Sequence, residues 1–470
     1  MKKIAKVLLL AMIISVFASA CGSTEPEVFD LDFTSSSSGV DLECANIVYK
    51  VYIPSDQSAD TICLGYEIDT VFADMAAQRL KDVESNLNCN FEMIYDTGSA
   101  GEYFTAAVSG TFVSDVVMGV SDIWADIART GGMLIGLSEL GDYIDYRNEE
   151  KWGYSNMLEV VAFEDDVYGV TPLYWPDVSV YVRTPIVVNE NLIASLGETD
   201  PRDYIENKQW TWDVFEECLG RYYVEESGEV KHYSITSSFG DFGSMFALSN
   251  GNSYFVKNSS GKYISGLYTP ETMKAMQRCV EILSGPNSHT INSTGNAVDS
   301  LISGTTVMGA LKSTEIIGVG GRIAREMDNY GILSWPHGPD VEPGYIFGYY
   351  SNIQNCIAFS RASNNPEAAA KAIDALYEPF DEYPTMDSVI DFMSKAYFFD
   401  ERDSQVYYQM YFNSSYNYFH YGLSILSGWA NQSKSVSEYL ESNEGSISEF
   451  IEEYVAPAKR GLEAVYGDAE

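Results

Sequence analysis

Residues 90–119, NFEMIYDTGSAGEYFTAAVSGTFVSDVVMG, contain the pattern that decides the fold. Apolar and polar residues alternate over 90–95, an amphipathic segment follows over 102–109, and a short apolar run occupies 115–119. Alternation indicates a strand, and a short apolar run bounded by turn residues indicates a buried strand. A strand, a helix and a strand in this order are typical of a wound α/β sheet. We therefore predict an α/β fold.

The same alternation of strands and helices extends in both directions from this stretch. Thr211 is predicted to cap a helix, and Asp213 adds a negative charge near the helix start. Strands are predicted at 46–53, 61–66, 167–170, 178–182, 305–311, 330–333 and 355–359. Helices are predicted at 69–84, 123–130, 270–283, 366–376 and 446–454.

The amino terminus predicts export and anchoring. Lys2, Lys3 and Lys6 precede an apolar run over 7–17, so residues 1–20 resemble a bacterial lipoprotein signal peptide. Ala18–Ser19–Ala20 lead into Cys21, which we predict to be the lipid attachment site; Ala18 replaces the usual leucine, so ordinary cleavage near Ala20 remains the alternative. Residues 21–40 are small and polar and predict a flexible tether. The remaining chain is expected on the outer side of the bacterial cell membrane.

Charge and cysteine spacing exclude several classes of protein. The chain has 28 Lys and Arg against 68 Asp and Glu, a formal net charge of −40, which makes nucleic acid a poor partner. Six cysteines follow Cys21 without CxxC spacing and are expected as buried thiols, with pairing of Cys44 and Cys63 left open. The four histidines are far apart, so neither a metal site nor a cofactor is expected.

Signatures of catalysis are absent from the sequence. It contains no GxSxG nucleophile motif, no HExxH zinc motif and no phosphate-binding GxxxxGK[ST] loop. We therefore expect that the protein is not an enzyme.

Aromatic residues are abundant, with 34 Tyr, 22 Phe and 7 Trp, and several follow predicted strands. Wound α/β sheets bind ligands at that end of their strands. A sugar ring has an apolar face that packs on an aromatic ring and hydroxyl groups that need polar partners. The candidate ligand-binding residues of this kind are Trp124, Tyr174, Trp175, Asp241, Phe242, Tyr349 and Tyr350.

Several segments, in order, resemble the extracellular solute-binding protein family 1, which includes maltose-binding protein. The similarity covers most of residues 65–380. The segments that carry it are AAVSGTFVSDVVMG (106–119), FEDDVYGVTPLYWPDVSVYV (163–182), QWTWDVFEEC (209–218), SSFGDFGSMFALSNGNSYF (237–255), LISGTTVMGA (301–310), NYGILSWPHGP (329–339) and IAFSRASNNPEAAAKAIDAL (357–376).

This resemblance implies a two-lobe periplasmic-binding-protein type II fold with a ligand cleft between the lobes. Lobe one would comprise 41–178 and 335–380, and lobe two 185–330 and 381–470. Asp241 and Phe242 fall at positions where the maltose-binding branch carries sugar-stacking aromatics, and Lys312 falls in another cleft loop. Trp210 and Trp212 are expected to pack at a helix start rather than to bind ligand. The lobes would close over the ligand by movement near 178–182 and 331–335.

The function implied is that of a monomeric, lipid-anchored solute-binding protein that delivers a sugar or oligosaccharide to the permease subunits of an ABC importer. The acidic surface keeps peptides or cationic solutes open as ligands in place of a sugar. Two further classes also stay open, a surface carbohydrate-active enzyme and a non-transport glycan-binding surface protein. The enzyme would need a carboxylate pair across the cleft, which sequence alone does not place.

Overall fold

The computed structural model describes residues 40–53, 58–97, 100–120, 124, 127–129, 132–176, 182–237, 239–251, 254–284, 291–292, 296–317, 321–350, 355–416 and 436–467. The predicted signal peptide, Cys21 and nearly all of the predicted tether lie outside these residues. Asp41–Glu470 form one compact unit.

Strands and helices alternate through most of this unit. The strands are β1 Ala45–Tyr52, β2 Ile62–Cys63, β3 Tyr66–Glu67, β4 Cys89–Asp96, β5 Val116–Val120, β6 Ala162–Phe163, β7 Asp166–Val167, β8 Ile186–Val188, β9 Val224–Glu226, β10 Glu229–Thr236, β11 Phe255–Lys257, β12 Tyr263–Ser265, β13 Ile291–Asn292, β14 Thr306–Ala310, β15 Gly331–Leu333, β16 Gly348–Tyr350, β17 Asn355–Phe359 and β18 Ser414–Tyr416.

The α-helices are α1 Val71–Leu87, α2 Ala100–Val108, α3 Glu149–Trp152, α4 Ser155–Leu158, α5 Glu190–Leu196, α6 Pro201–Glu206, α7 Trp212–Tyr222, α8 Phe239–Leu248, α9 Pro270–Ser284, α10 Ala297–Ile302, α11 Arg322–Glu326, α12 Pro366–Leu376, α13 Met386–Tyr397, α14 Glu401–Phe412, α15 Val436–Phe450 and α16 Ala456–Tyr466. A π-helical turn, Ile451–Val455, joins the last two helices.

Two larger sheets organise the molecule. In the first, the strand order is β17-β5-β1-β4, with β1, β4 and β5 parallel and β17 antiparallel. In the second, the order is β13-β10-β14-β8-β15, with β9 paired beside β10. Strands β10, β13 and β14 are parallel, while β8 runs antiparallel to β14 and β15. Each sheet therefore has an edge at which several carboxyl ends of strands meet.

Local sequence explains where the main helices begin. The Thr70 hydroxyl accepts a hydrogen bond from the Ala73 amide at 3.2 Å, and the Thr211 hydroxyl accepts one from Val214 at 3.3 Å. Asn365 caps α12 in the same way, and Pro366 occupies the first turn, where its missing N–H costs nothing. These side chains satisfy amide groups that the helix itself leaves unpaired. The predicted cap at Thr211 is confirmed.

The chain passes between the two sheets more than once. After Val170, which bridges Ile357 of the first sheet, the chain reaches β8 of the second. It returns from β15 through β16 to β17 of the first sheet. After α12, which packs against β1 and β17, it crosses again to α14, which packs against β15.

Most of the predicted elements are present and three differ, while the predicted strand 178–182 and the predicted helix 123–130 lie largely outside the described residues. At 167–170 the strand ends at Val167, and Val170 forms only an isolated bridge. The stretch 61–66 is not a single strand, because a 3-10 turn at Ala59–Thr61 leads into the two-residue strands β2 and β3. Leu64 and Gly65 form the tight turn between them, with φ angles of 50° and 98°. The helix expected at 446–454 instead begins at Val436 and changes to a π-turn at Ile451.

The cysteine prediction is wrong for two of the six residues. Cys44 is exposed and Cys63 is only partly buried, whereas the other four are buried; all six are free thiols. Cys44 takes a left-handed backbone conformation with φ 61°, and its thiol donates to Asn88 Oδ1 at 3.2 Å. Cys44 lies immediately before the first residue of β1, at the surface of the protein.

Candidate functional site

At the carboxyl edge of the first sheet, an aromatic row lies next to the ends of β1 and β5. The Trp124 ring lies 5.9 Å from the Tyr52 ring and 5.6 Å, edge to face, from the Tyr103 ring. The indole Nε1 of Trp124 donates to the Cys356 carbonyl at 3.0 Å. A Cβ on Gly119 would lie 3.0 Å from this indole, so a larger residue there would press on the ring. Trp124 is fully buried, and Tyr52 is only partly buried.

A charged pair stands beside this row. Lys50 Nζ lies 2.6 Å from Asp96 Oδ2 and 4.9 Å from the centre of the Tyr52 ring. Burial lowers the pKa of Lys50, but Asp96 and Tyr52 outweigh that effect and raise it. Lys50 therefore keeps its charge, and the first-sheet edge offers a ring, a cation and a carboxylate within a few ångströms.

Arg129, which follows β5 in the chain, contacts the carboxyl-terminal part of the molecule. The Arg129 guanidinium lies 4.5 Å from the centre of the Tyr454 ring, a cation–π contact. Tyr454 also stacks on Phe450 at 5.0 Å. Residues 325 positions apart meet here, and no local sequence signal could have linked them.

The carboxyl edge of the second sheet is more polar. Strands β10, β13 and β14 end at Thr236, Asn292 and Ala310, and the Thr236 hydroxyl donates to the Asn292 carbonyl at 2.9 Å. Lys312 follows β14 two residues later and is exposed. Within the part of the chain that the structure describes, Lys312 makes no ion pair.

Three of the predicted ligand residues meet where the chain passes from the first sheet to the second. The Ser313 amide, next to Lys312, donates to Val182 O at 3.3 Å. Val182 also bridges Tyr350, and the Arg183 amide donates to Tyr349 O at 3.0 Å. Lys312, Tyr349 and Tyr350 therefore surround one crossing segment.

Tyr349 and Tyr350 are nevertheless buried. The hydroxyls of Tyr349 and Thr184 lie 3.4 Å apart, and the Tyr350 ring packs edge to face on Tyr411 at 5.5 Å. Burial raises the pKa of Tyr350 far above its usual value, and Tyr154 adds to the rise. Both rings hold the crossing together, and their role in binding stays a prediction.

Trp175 and Phe242 lie apart from this junction and from each other. Trp175 is buried between Tyr377 and Phe380, each 4.7 Å away, and its Nε1 donates to Glu378 O at 3.0 Å. Phe242 is fully buried and stacks on Phe246 at 4.9 Å. In this conformation both rings are in contact with protein on all sides, so ligand binding by them stays a prediction.

The remaining predicted residues have mixed positions. Tyr174 is partly buried, and burial, followed by Glu150 and Glu378, raises its pKa. Asp241 lies on α8, but its side chain is not among those described. Trp210 and Trp212 pack as expected, with indole hydrogen bonds of 2.8 Å to Ser334 O and Ser249 Oγ.

A cavity of about 280 Å³ opens at the opposite, amino edge of the first sheet. Tyr103, Thr111, Ser360 and Arg361 contribute its polar lining. The Arg361 guanidinium is bound to Glu139 at 2.5 and 2.8 Å, and this contact lowers the pKa of Glu139. Tyr103 lines this cavity and also contacts Trp124, so the cavity lies next to the aromatic row.

The described residues contain neither a cluster of metal-binding side chains nor a membrane-spanning helix. No group of three or more His, Cys, Asp or Glu side chains there is arranged to hold a metal ion. No helix in that part of the chain has the length and apolar character needed to cross a membrane.

Comparison with known proteins finds similarity at the level of the fold. No protein-family model matches the sequence, and no curated protein matches it. Among solved structures, the chain is similar to the ABC substrate-binding protein Lmo0181 from Listeria monocytogenes in complex with cycloalternan, with a TM-score of 0.59 and 13% identity. The match covers 87% of this chain and 100% of the other. The chain therefore has the two-lobe periplasmic-binding-protein fold.

Proposed function

We propose that this protein is an extracytoplasmic solute-binding protein that captures a sugar or oligosaccharide and delivers it to an ABC importer without chemical conversion. The observation that carries the proposal is the match along the whole length of a solute-binding protein whose structure contains cycloalternan. Its low identity leaves the ligand to be argued from this chain's own residues.

The carboxyl edges of the two sheets support a sugar as the ligand. The partly buried Tyr52 ring, beside the Lys50–Asp96 pair, combines a flat apolar surface with charged donors and acceptors. Lys312 adds an exposed donor at the other sheet. Sugar recognition needs both kinds of group, since ring stacking excludes water and polar groups fix orientation. Trp124, Tyr174, Trp175, Asp241, Phe242, Tyr349 and Tyr350 remain proposed ligand residues.

The proposed cellular setting follows from the amino terminus. Lipidation of Cys21 and a tether over 21–40 would hold the folded unit close to permease subunits in the membrane. Replacing Cys21 by Ser should release the protein into the soluble fraction. An unmodified mature amino terminus in mass spectrometry would contradict lipidation while leaving solute binding untouched.

The proposed lobes are 41–178 with 335–380, and 185–330 with 381–470, although within the last range α16, Ala456–Tyr466, packs against the β6–β7 hairpin of lobe one. A ligand that contacts both lobes favours the closed state by its higher affinity for that state. Small-angle scattering should then show a smaller radius of gyration with saturating ligand than without it.

A thermal-shift screen tests the proposal directly. Cycloalternan, linear glucose and galactose oligosaccharides, short peptides and polyamines are each added to the purified chain. A ligand at 100 times its dissociation constant stabilises the folded state by about 2.7 kcal/mol. The proposal expects a sugar to raise the melting temperature and to be recovered unchanged. If only peptides or polyamines raise the melting temperature, those molecules and not a sugar are the ligands. If the sugar is recovered in cleaved form, the protein is an enzyme.

A further inference from the structure

The last described segment of the chain, residues 436–466, contacts both sides of the molecule. We call it the C-terminal strap; it consists of α15, the π-turn Ile451–Val455 and α16. Its first half packs against α9 and β12, which follow the second sheet's strand β10 in the chain. Its second half packs against the β6–β7 hairpin, which the Val170–Ile357 bridge ties to the first sheet.

The first half is anchored by buried groups. Leu440 and Ile447 are fully buried, and the Tyr268 hydroxyl donates to Leu440 O at 3.1 Å. The Phe450 ring meets Tyr254 edge to face at 5.8 Å. Burying two large aliphatic side chains stabilises this contact, so α15 moves with the second-sheet side.

The second half is anchored to the β6–β7 hairpin just as firmly. The Glu164 amide donates to Pro457 O at 2.9 Å, and Lys459 Nζ lies 2.6 Å from the buried Glu159 carboxylate. Gly461 lies so close to the hairpin that a Cβ there would come within 2.5 Å of Asp166 O. This backbone-to-backbone contact leaves α16 no freedom to slide on the first-sheet side.

By contrast, the ion pairs that join the π-turn and α16 to the second-sheet side are exposed, and other contacts there are a Tyr263–Glu463 hydrogen bond of 3.3 Å and the Lys459 ammonium 5.3 Å from the Phe255 ring. Lys257 Nζ reaches Glu463 at 3.1 Å, with the two side chains 50% and 37% exposed. Lys262 reaches Glu452, in the π-turn, at 2.8 Å with both side chains more than 60% exposed. Exposed ion pairs of this kind stabilise a contact only slightly and are weakened by salt.

The π-turn lies between the two anchors, and the sequence explains why it forms. Pro457 has no N–H to donate to the Glu453 carbonyl, and its ring would clash with that carbonyl in a regular α-helix. The chain instead forms the wider turn, in which the Ala456 amide donates to Ile451 O. Interruptions of this type bend helices and recur at functional sites.

We propose that the π-turn 451–455 is a hinge, and that the C-terminal strap bends there when the two sides of the molecule move relative to each other. Its first half would travel with the second sheet and its second half with the first. Tyr454, on the π-turn, packs on Arg129, which follows β5 in the chain, so bending would move this contact as well. The use of this movement in ligand capture rests on the proposed function; the hinge itself does not.

The test measures distances between spin labels in the ligand-free full chain. Labels are introduced as unnatural amino acids, because native cysteines would otherwise react, at the exposed positions Gln277, Glu441, Ala464 and Asp165. The pairs 277–441 and 165–464 each join one half of the strap to the element that anchors it, α9 or the β6–β7 hairpin, and should give narrow distance distributions. The pair 441–464 spans the hinge and should give a broader one that widens further between 0.05 and 0.5 M NaCl. A hinge-spanning distribution as narrow as the other two at both salt concentrations would overturn the proposal.

A matched pair of glycine variants controls for general loosening. Gly461→Ala forces a Cβ into the hairpin backbone, whereas a Cβ at Gly445 in α15 meets no atom within 4 Å. Gly461→Ala should broaden the 165–464 distance distribution, and Gly445→Ala should leave all three distance distributions unchanged. Equal behaviour of the two variants would mean that α16 is not anchored on the first-sheet side and would also overturn the proposal. Because no sugar is added, a negative result here leaves the proposed function standing, and failure of the sugar screen leaves the hinge standing.

Discussion

Charged and aromatic groups at the carboxyl edge of the first sheet are already paired within the protein, whereas the second sheet presents a cation that forms no ion pair with any residue the structure describes. Lys50 binds Asp96 at 2.6 Å, and the Trp124 indole binds Cys356 O at 3.0 Å. Lys312 is exposed, and in the described part of the chain it forms no ion pair. From this difference we expect Lys50, Asp96 and Trp124, at the carboxyl edge of the first sheet, to contribute to the stability of the fold. We expect Lys312 to contribute to ligand binding and not to stability.

Trp124→Ala should have the largest effect. The change removes a fully buried ring that contacts Tyr52 and Tyr103, and we expect the free energy of unfolding to fall by about 3–5 kcal/mol. Urea denaturation measures it. The control is Val108→Ala, at a side chain that is 61% exposed, with an expected change within about 0.5 kcal/mol. Unchanged stability for Trp124→Ala, together with lost sugar binding, would reverse the comparison and make Trp124 a ligand residue only.

Lys50→Met should have the next largest effect, because it leaves the Asp96 carboxylate without its cation. Lys50 is 10% exposed and Asp96 31%, so we expect a loss of about 1–2 kcal/mol in the free energy of unfolding. The Lys395–Asp391 pair is the matched control: its side chains are 76% and 62% exposed, and Lys395→Met should cost less than about 0.5 kcal/mol. Equal losses of stability in the two variants would show that the Lys50–Asp96 pair contributes no more than an exposed ion pair does.

A pH series examines a buried carboxylate on the second-sheet side. Burial raises the pKa of Asp403 to about 6, although it accepts from Arg202 Nη1 at 3.0 Å and from the Ile332 amide at 2.7 Å. The folded state therefore binds a proton more readily than the unfolded state, whose aspartate pKa is about 3.9. The contribution of Asp403 to the free energy of unfolding must therefore increase as the pH falls through 6.

Relative to Asp403→Asn, the wild type should gain about 1 kcal/mol in the free energy of unfolding between pH 7 and pH 5. Urea denaturation of both proteins at the two pH values measures the gain. Parallel pH profiles would show that Arg202 keeps the Asp403 carboxylate ionised throughout this range.

Lys312→Ala should have the smallest effect and should act on binding alone. Losing one exposed donor is expected to weaken the affinity for a sugar found in the screen two- to five-fold, about 0.5–1 kcal/mol. Calorimetric titration measures the affinity, and thermal unfolding without ligand should be unchanged. The control is Lys81→Ala, at an exposed position on α1. If both variants bind with wild-type affinity, the second edge does not supply the cation that we propose.

Short-range patterns were sufficient to predict much of the fold. The helix 366–376 and the strand 355–359 begin and end as predicted, because Asn365, Pro366 and an apolar run are all local signals. The π-turn was not predicted, although Pro457 is visible in the sequence. A proline in a helical pattern shows that one hydrogen bond is lost, but not whether the helix kinks, ends or widens.

The candidate site could be predicted less well, because loop position does not tell a binding aromatic from a packing one. Trp175 lies in a proline-flanked loop, yet Phe380, 205 positions later, covers its ring. Arg129 and Tyr454 have no common sequence pattern at all. Both contacts arise between segments that are distant in the chain.

The sequence by itself determined the alternation of strands and helices, the helix caps at Thr70, Thr211 and Asn365, and the break at Pro457. These depend on hydrogen bonds and steric contacts within a few residues. Only the tertiary structure decided that Trp175 is buried, that Lys50 meets Asp96, and that the two ends of the C-terminal strap are anchored on different sides of the molecule. Burial and ion pairing depend on which distant segments the folded chain brings together, and a local sequence pattern does not show which segments will meet.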